Sequence, residues 1–198
     1  MNKNIPNILT FSRIAIIPIL IASFYMEAKF YHFVAAGLFL FASLTDFVDG
    51  YLARLLKAQS SLGRFLDPVA DKLLVATAIL MLTHINGITG WEIIPAIAIL
   101  CREILVSGLR EFLAEINVSV PVTKLAKFKT VVQMSAIFLL LLGVEGPSIA
   151  DVEQLTSTHL TVLLGKILLW IAAILTIFTG YAYLKAGLKY MIATDDSN

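Results

Sequence analysis

The sequence is poor in charge, in cysteine and in histidine. Of its 198 residues, 15% are charged and 59% are hydrophobic, and the mean hydropathy is +0.87. A water-soluble domain of this length needs far more surface charge, so the composition excludes that class. Cys101 is the one cysteine, which excludes an intramolecular disulfide, and we expect it to be a small buried apolar residue. The sequence has no cluster of histidine and cysteine that would indicate zinc.

The chain is instead rich in long apolar runs. Stretches of about 18–25 residues recur along its length, as is typical of membrane-spanning helices. They predict an all-α, polytopic protein with a single membrane domain over residues 1–198. The first run is similar to a signal peptide, but Arg13 interrupts it and no small-residue cleavage site follows, so we predict a retained helix. The six predicted helices cover residues 8–27, 32–56, 66–84, 91–114, 126–145 and 159–184.

The basic residues predict how these helices are oriented. Lysine and arginine are in excess in the cytoplasmic loops of membrane proteins. An arrangement with both termini in the cytoplasm leaves Lys29 alone in the loops on the other side. We therefore predict this topology, in which the cytoplasmic helix ends carry Lys3, Arg54, Lys57, Arg64, Lys124, Lys127, Lys129, Lys185 and Lys189.

Four aspartates stand among the apolar residues of the second and third helices. Asp46 and Asp49 are three residues apart, and Asp67 and Asp71 are four apart, so each pair lies on one face of its helix. Because the two helices are predicted to be antiparallel, the two faces can oppose each other near the cytoplasmic boundary. An ionised carboxylate costs about 2.5–3.5 kcal/mol at the membrane centre, and four of them also repel one another.

Divalent cations would offset this charge. An all-oxygen set of carboxylates suits Mg²⁺ or Mn²⁺, and two such ions between carboxylates commonly serve displacement at phosphorus. A carboxylate not fully engaged by metal could accept the proton of an attacking hydroxyl. The residues alone also allow a set of intramembrane ion pairs, or a proton path in an ion-coupled transporter.

The spacing of this segment resembles a family signature. It runs Asp46-x2-Asp49-Gly50-x2-Ala53-Arg54-x8-Gly63-x3-Asp67-x3-Asp71. The pattern resembles that of the CDP-alcohol phosphotransferase family, with every position filled. The resemblance implies that family's six-helix membrane fold and a homodimer. It also implies a reaction in which an alcohol hydroxyl attacks the β-phosphorus of a CDP-linked alcohol and CMP leaves.

The same resemblance implies a role for each position of the motif. Asp46, Asp49 and Asp67 would be metal ligands, and Asp71 would ligate the second metal and act as the general base. The residues that would accommodate the cytidine nucleotide are Gly50, Ala53, Gly63 and, in support, Arg54. Asn7, Thr10 and Arg13 recur at three-residue spacing at the start of the first helix, where capping and snorkelling or a contact with the nucleotide would explain them.

The acceptor alcohol must be identified from other residues. The stretches 4–18, 101–115 and 124–130 resemble the bacterial phosphatidylglycerophosphate synthases within the family. This resemblance implies transfer of the phosphatidyl group from CDP-diacylglycerol to sn-glycerol 3-phosphate at the cytoplasmic face of the bacterial inner membrane. Inositol phosphate, serine or phosphatidylglycerol stay open as acceptors, because the signature does not distinguish them.

A phosphorylated acceptor needs a basic pocket beside the metals. The fourth helix carries a single polar stripe made of Glu103, Ser107, Arg110 and Glu111. We expect Arg110 to bind the acceptor's phosphate. Arg102 either joins it or forms a structural pair with Glu103 or another acid.

Lysines at the start of the fifth helix are the other candidates for this pocket. Lys124 and Lys127 are expected to bind the acceptor's phosphate. For these two, and for Lys129, anchoring on the positive inner side or attraction to anionic lipid headgroups explains the charge equally well.

Overall fold

The structure is a computed structural model that describes residues 5–26, 31–56, 61–116, 118, 123–144 and 152–195. Side chains are described over residues 11–26, 31–45, 63, 66–116, 118, 123–144 and 159–188. These residues form helices and turns, without a strand among them. The α-helices are α1 (Ile5–Ser23), α2 (Tyr31–Leu56), α3 (Ser61–His84), α4 (Ile93–Glu115), α5 (Lys124–Gly143) and α6 (Val152–Asp195), with a 3-10 helix over Gly90–Glu92.

The order of the six helices is as predicted, but their ends differ. α3 begins at Ser61 rather than at 66, because the polar residues before the apolar run join its first turns. α1 ends at Ser23 rather than at 27, where the chain turns through Phe24 and Tyr25. α6 has 44 residues, so it is about 66 Å long and exceeds a bilayer core of about 30 Å. The predicted range 159–184 marked only its apolar part.

Helices α5 and α6 pack closely along their length. A Cβ atom at Gly165 would lie 2.8 Å from Leu140 Cγ, and one at Gly143 would lie 2.8 Å from Val162 Cγ2. Glycine therefore allows the close approach of the two helices, as is common between membrane helices. α4 packs against α6, α1 packs against α2 and α3, and α2 packs against α5. The core between them contains Leu20, Phe39, Leu74, Leu82, Ile99, Ile137, Leu140 and Leu169.

The turn after α3 is formed by Asn86 and Gly87. Asn86 has φ 59, in the left-handed region. The N–H of Gly87 donates to the carbonyl oxygen of Leu82 at 2.8 Å, and the N–H of Asn86 donates to that of Thr83 at 3.2 Å. These two bonds cap the last carbonyls of the helix in a Schellman motif.

The outer surface of the helices is strongly apolar. Ile177 and Phe178 on α6 are 62% and 70% exposed, and Ile104 on α4 is 67% exposed. Soluble monomers rarely expose apolar surface on this scale. Cys101 is exposed too, so the expectation that it is buried was wrong. An apolar run does not distinguish a lipid-facing position from a core position.

Two helical segments in the described part are long and apolar enough to cross a membrane. They are Lys124–Gly143 and His159–Leu188, with mean hydropathies of 1.7 and 2.3. Phe11–Ser23 and Tyr31–Thr45 are shorter apolar helices. The presence of six membrane spans stays a prediction.

Candidate functional site

Two adjoining cavities, lined mostly by polar and charged residues, lie where α3 faces α4. Their volumes are about 430 and 290 Å³. The second extends to Ala126 and Thr130 of α5 and to Tyr183 of α6. Seven residues line both cavities, which places them in one continuous site: Asp67, Pro68, Lys72, Arg102, Glu103, Val106 and Arg110.

The α3 wall of this site carries two of the four motif aspartates. Asp67 and Asp71 are one helical turn apart and half-buried, and both line the second cavity. Lys72 was missed at the sequence level, although it directly follows the last aspartate of the motif. Its ammonium donates to the carbonyl oxygen of Pro68 at 2.9 Å, and its side chain lines both cavities. The wall therefore combines two carboxylates with one cation.

The α4 wall is formed by the predicted polar stripe. Arg110 is exposed at the mouth of the site and lines both cavities. Arg102 lies two turns earlier and also lines both. The two guanidinium groups thus share one space with the carboxylates of α3. All four stripe residues line the first cavity, namely Glu103, Ser107, Arg110 and Glu111.

An ion network lies directly behind the α4 wall. Lys129 of α5 is only 1% exposed and forms an ion pair with Glu103 Oε1. The same oxygen lies 3.5 Å from Nη1 of Arg102. Arg102 Nη2 donates to Thr179 Oγ1 at 3.2 Å, and its guanidinium carbon lies 5.7 Å from the centre of the Tyr183 ring. Arg102 therefore lines the cavity and pairs with Glu103, as one of the two interpretations predicts. Binding of the acceptor's phosphate by Arg102 stays a prediction.

The lysines at the start of α5 lie apart from this network. Lys124 and Lys127 are exposed and are not among the described residues that line the two cavities. Thr123 is the N-cap of this helix, and its hydroxyl accepts from the N–H of Ala126 at 3.2 Å. Binding of the acceptor's phosphate by these two lysines stays a prediction.

The first half of the motif lies on the C-terminal part of α2. The helix includes the motif residues Asp46, Asp49, Gly50, Ala53 and Arg54, but their side chains lie outside the described residues. The side chain of Thr10 in α1 lies outside them as well. The predicted opposition of the two carboxylate faces therefore stays a prediction. Gly63 is described and is buried in α3.

Comparison with known proteins identifies the family. Residues 3–178 match CDP-alcohol phosphatidyltransferase. The chain belongs to this family. A protein of Rickettsia bellii is 49% identical over 96% of this chain and 98% of its own length. Proteins of Cereibacter sphaeroides and Pectobacterium atrosepticum are 40% and 39% identical, over 96% and 94% of this chain and 98% and 96% of their own lengths. All three are named CDP-diacylglycerol–glycerol-3-phosphate 3-phosphatidyltransferase.

The family membership confirms the resemblance drawn from the motif, and the family is generally dependent on a divalent metal. Asp67 and Asp71 fit that requirement in kind, since both present carboxylate oxygens to one cavity. Within the described residues there is no group of three or more histidine, cysteine or acidic side chains that could hold a metal by itself. Metal binding by the aspartates of α2 stays a prediction.

Proposed function

We propose that the chain transfers the phosphatidyl group of CDP-diacylglycerol to sn-glycerol 3-phosphate, giving phosphatidylglycerophosphate and CMP. The observation that carries this proposal is the shared cavity, which Asp67 and Asp71 of α3 line together with Arg102 and Arg110 of α4. Carboxylates suit metal binding and proton transfer, while guanidinium groups suit a phosphorylated acceptor. The names of relatives that are 39–49% identical over nearly the whole chain support the same reaction.

The motif aspartates would hold the metal. Asp46 and Asp49 from α2 and Asp67 and Asp71 from α3 would provide its oxygen ligands, which suit either Mg²⁺ or Mn²⁺. When bound, two such ions neutralise phosphoryl oxygens and the charge that develops on the leaving group. The four carboxylates would in this way hold the donor's diphosphate beside the cavity that Arg102 and Arg110 line.

Asp71 is our candidate for the general base. In the reaction, a hydroxyl oxygen of glycerol 3-phosphate forms a bond to the β-phosphorus, and the bond from that phosphorus to the oxygen of CMP breaks. The hydroxyl proton must leave as the new bond forms, and a carboxylate in the cavity can accept it. Asp71 lines the second cavity, where Arg102 and Arg110 also lie.

The phosphate of the acceptor would be bound from α4. Arg110 is exposed at the mouth of the site, and a guanidinium can hold two phosphate oxygens at once. Arg102 would assist from the inner end of the cavity. Lys124 and Lys127 at the start of α5 would attract the dianion or anchor the protein to anionic lipid.

The nucleotide would lie against the helix backbones of α2 and α3. Gly50, Ala53 and Gly63 lack side-chain bulk, which allows close approach. Arg54 would support the nucleotide or the carboxylates, and Thr10 of α1 would contact it. The diacyl tails of the donor would stay in the bilayer.

The apolar surface and the family support a membrane location. We extend this to six spans in the bacterial inner membrane, with both termini and the site facing the cytoplasm, and to a homodimer. Cysteine labelling of the loops from each side of the membrane tests the topology, and cross-linking in native membranes tests the dimer.

A purified-enzyme assay tests the reaction. CDP-diacylglycerol is supplied with Mg²⁺ or Mn²⁺, and CMP release is measured with glycerol 3-phosphate, inositol phosphate, serine or phosphatidylglycerol in turn. We expect strong stimulation by glycerol 3-phosphate alone. Stimulation by another acceptor would change the product assignment. Solute flux in liposomes with no CMP release would favour an ion-coupled transporter.

A further inference from the structure

One carboxylate oxygen in the wall of the cavity lies close to two cations. Glu103 Oε1 accepts a hydrogen bond from Lys129 and lies 3.5 Å from Nη1 of Arg102. Glu103 and Arg102 both line the two cavities, whereas Lys129 lines neither. The carboxylate thus connects a charge that faces the cavity to one that lies behind it.

Because Lys129 is buried, its ammonium needs a counter-charge nearby. Its side chain is 1% exposed, so its ammonium has almost no contact with solvent. A charged group in such a place is costly unless a counter-charge compensates it. Glu103 supplies that charge through a direct ion pair, and Asp71 of α3 adds a weaker electrostatic attraction to Lys129. Loss of Glu103 would therefore leave Lys129 with less compensation and Arg102 without its carboxylate neighbour.

Arg102 is restrained on three further sides. Thr179 accepts from its Nη2, and the ring of Tyr183 lies beneath its guanidinium. Its aliphatic stem crosses α6 at Gly180, where an added Cβ would lie 3.0 Å from Arg102 Cγ. Because arginine has many rotamers, restraints of this kind reduce the entropy that is lost when a ligand binds.

We propose that Glu103 is a positioning residue, which fixes the guanidinium of Arg102 at the inner end of the cavity for the phosphate of the acceptor, with Lys129 as its buried counter-charge. This inference rests on the proposed function. Glu103 itself carries the same sign as the phosphate, so it acts on the acceptor only through Arg102. A phosphorylated alcohol bound between Arg110 at the mouth and Arg102 inside would have its orientation set at both places.

A merely structural ion pair would behave differently from a positioning residue. Breaking a buried pair on one side destabilises a protein, whereas replacing both partners by apolar residues of similar size is often neutral. The double variant Glu103→Met/Lys129→Met removes both charges at nearly constant volume and leaves Arg102 in place. If the pair is structural, this variant has normal kinetics once it folds.

Steady-state kinetics of the purified variants test the proposal. For Glu103→Met/Lys129→Met we expect the KM for glycerol 3-phosphate to rise about 10-fold, as for one weakened charge-assisted hydrogen bond, with the KM for CDP-diacylglycerol unchanged. In an Arg102→Ala background the same double change should not raise the KM for glycerol 3-phosphate any further, because Glu103 acts on the acceptor only by positioning Arg102. A folded double variant with wild-type KM values overturns the proposal, and so does a further KM rise in the Arg102→Ala background.

Further variants complete the experiment. Gly180→Ala places a Cβ 3.0 Å from Arg102 Cγ, so the stem must shift slightly on the α6 side without a change of charge, and we expect a small selective rise of the same KM. If the double variant does not fold, Glu103→Gln replaces it, because it keeps the shape of the side chain and removes the charge beside Arg102. An unchanged KM for glycerol 3-phosphate in Glu103→Gln overturns the proposal. The matched control is Glu92→Gln/Lys166→Met, which removes the pair at 3.0 Å between the 3-10 helix and α6 and should leave both KM values unchanged. Wild-type protein without acceptor-dependent CMP release would refute the proposed function instead.

Discussion

Asp71 of α3 and Arg110 of α4 line the same cavity, although they are 39 positions apart in the sequence. Such a space suits a small phosphorylated alcohol, because a guanidinium can bind its phosphate while a carboxylate accepts the proton of its hydroxyl. Under the proposed function, the family motif would supply the carboxylate, and a polar stripe outside the motif would supply the guanidinium. Variants of Asp71 and of Arg110 test these two groups separately.

Asp71→Asn should abolish turnover while the protein stays folded. Asparagine keeps the shape of the side chain but neither accepts the proton nor ligates metal as a carboxylate does. Loss of a general base costs about 10²–10⁴-fold in rate. The measurement is CMP release at saturating substrates, with size-exclusion chromatography in detergent as the test of folding. Glu115→Gln on the exposed end of α4 is the control, and near-wild-type turnover of Asp71→Asn would remove the catalytic assignment.

Arg110→Ala should weaken acceptor binding selectively. A charge-assisted hydrogen bond contributes about 1.5–3 kcal/mol, so the KM for glycerol 3-phosphate should rise about 10–100-fold. The KM for CDP-diacylglycerol should not change. Arg110→Lys should restore part of the loss, since it keeps the charge but not the bidentate geometry. A rise in both KM values would mean that Arg110 supports the site as a whole.

Gly165→Ala should destabilise the contact of α5 with α6. The added Cβ would lie 2.8 Å from Leu140 Cγ and 3.1 Å from the backbone nitrogen of Leu140, which cannot move freely. Overpacking of this kind costs about 1–3 kcal/mol. Thermal unfolding in detergent should show a lower midpoint. Gly108→Ala is the matched control, because no atom lies within 4 Å of its added Cβ; equal midpoints for the two variants would contradict the packing described.

The ion pair of Glu92 with Lys166 should make a small, pH-dependent contribution to stability. The hydrogen bond from Lys166 lowers the pKa of the Glu92 carboxyl below its ordinary value. A carboxyl with a lowered pKa stabilises the fold above its unfolded pKa and loses that contribution as the pH falls through the folded pKa. The pair is partly exposed, so the contribution is below about 1 kcal/mol.

The test compares wild-type protein with Glu92→Gln. The difference between their unfolding midpoints should be constant near neutral pH and shrink as the pH falls from about 5 to about 3. A difference that grows on acidification has the wrong sign for this pair.

Much of the fold follows from hydrophobic length and period. Six apolar runs became six helices, since each run was long enough to form one and turn residues separated most of them. Polar helix ends were harder to locate. The residues before Leu66 and after Leu184 continue their helices beyond the apolar run, because a helix that leaves a membrane needs no change of backbone. Cys101 was misplaced because lipid and protein interior favour the same residues.

The site was predictable where one helix carries it. The spacing of Asp67 and Asp71 places both on one wall, and the stripe on α4 follows from its period. Contacts between helices were not predictable in this way. The pairing of Glu103 with Lys129 joins α4 to α5 across 26 positions of sequence, and no local pattern distinguishes such a lysine from a membrane anchor.

The most direct test of the proposed reaction follows radiolabelled glycerol 3-phosphate into lipid. Purified protein is mixed with CDP-diacylglycerol and Mg²⁺ or Mn²⁺, and the label in the organic extract is compared with the CMP released. We expect equal amounts of labelled phosphatidylglycerophosphate and CMP, and we expect both products to be lost on chelation of the metal. CMP release without labelled lipid, or transfer that persists after chelation, would contradict it.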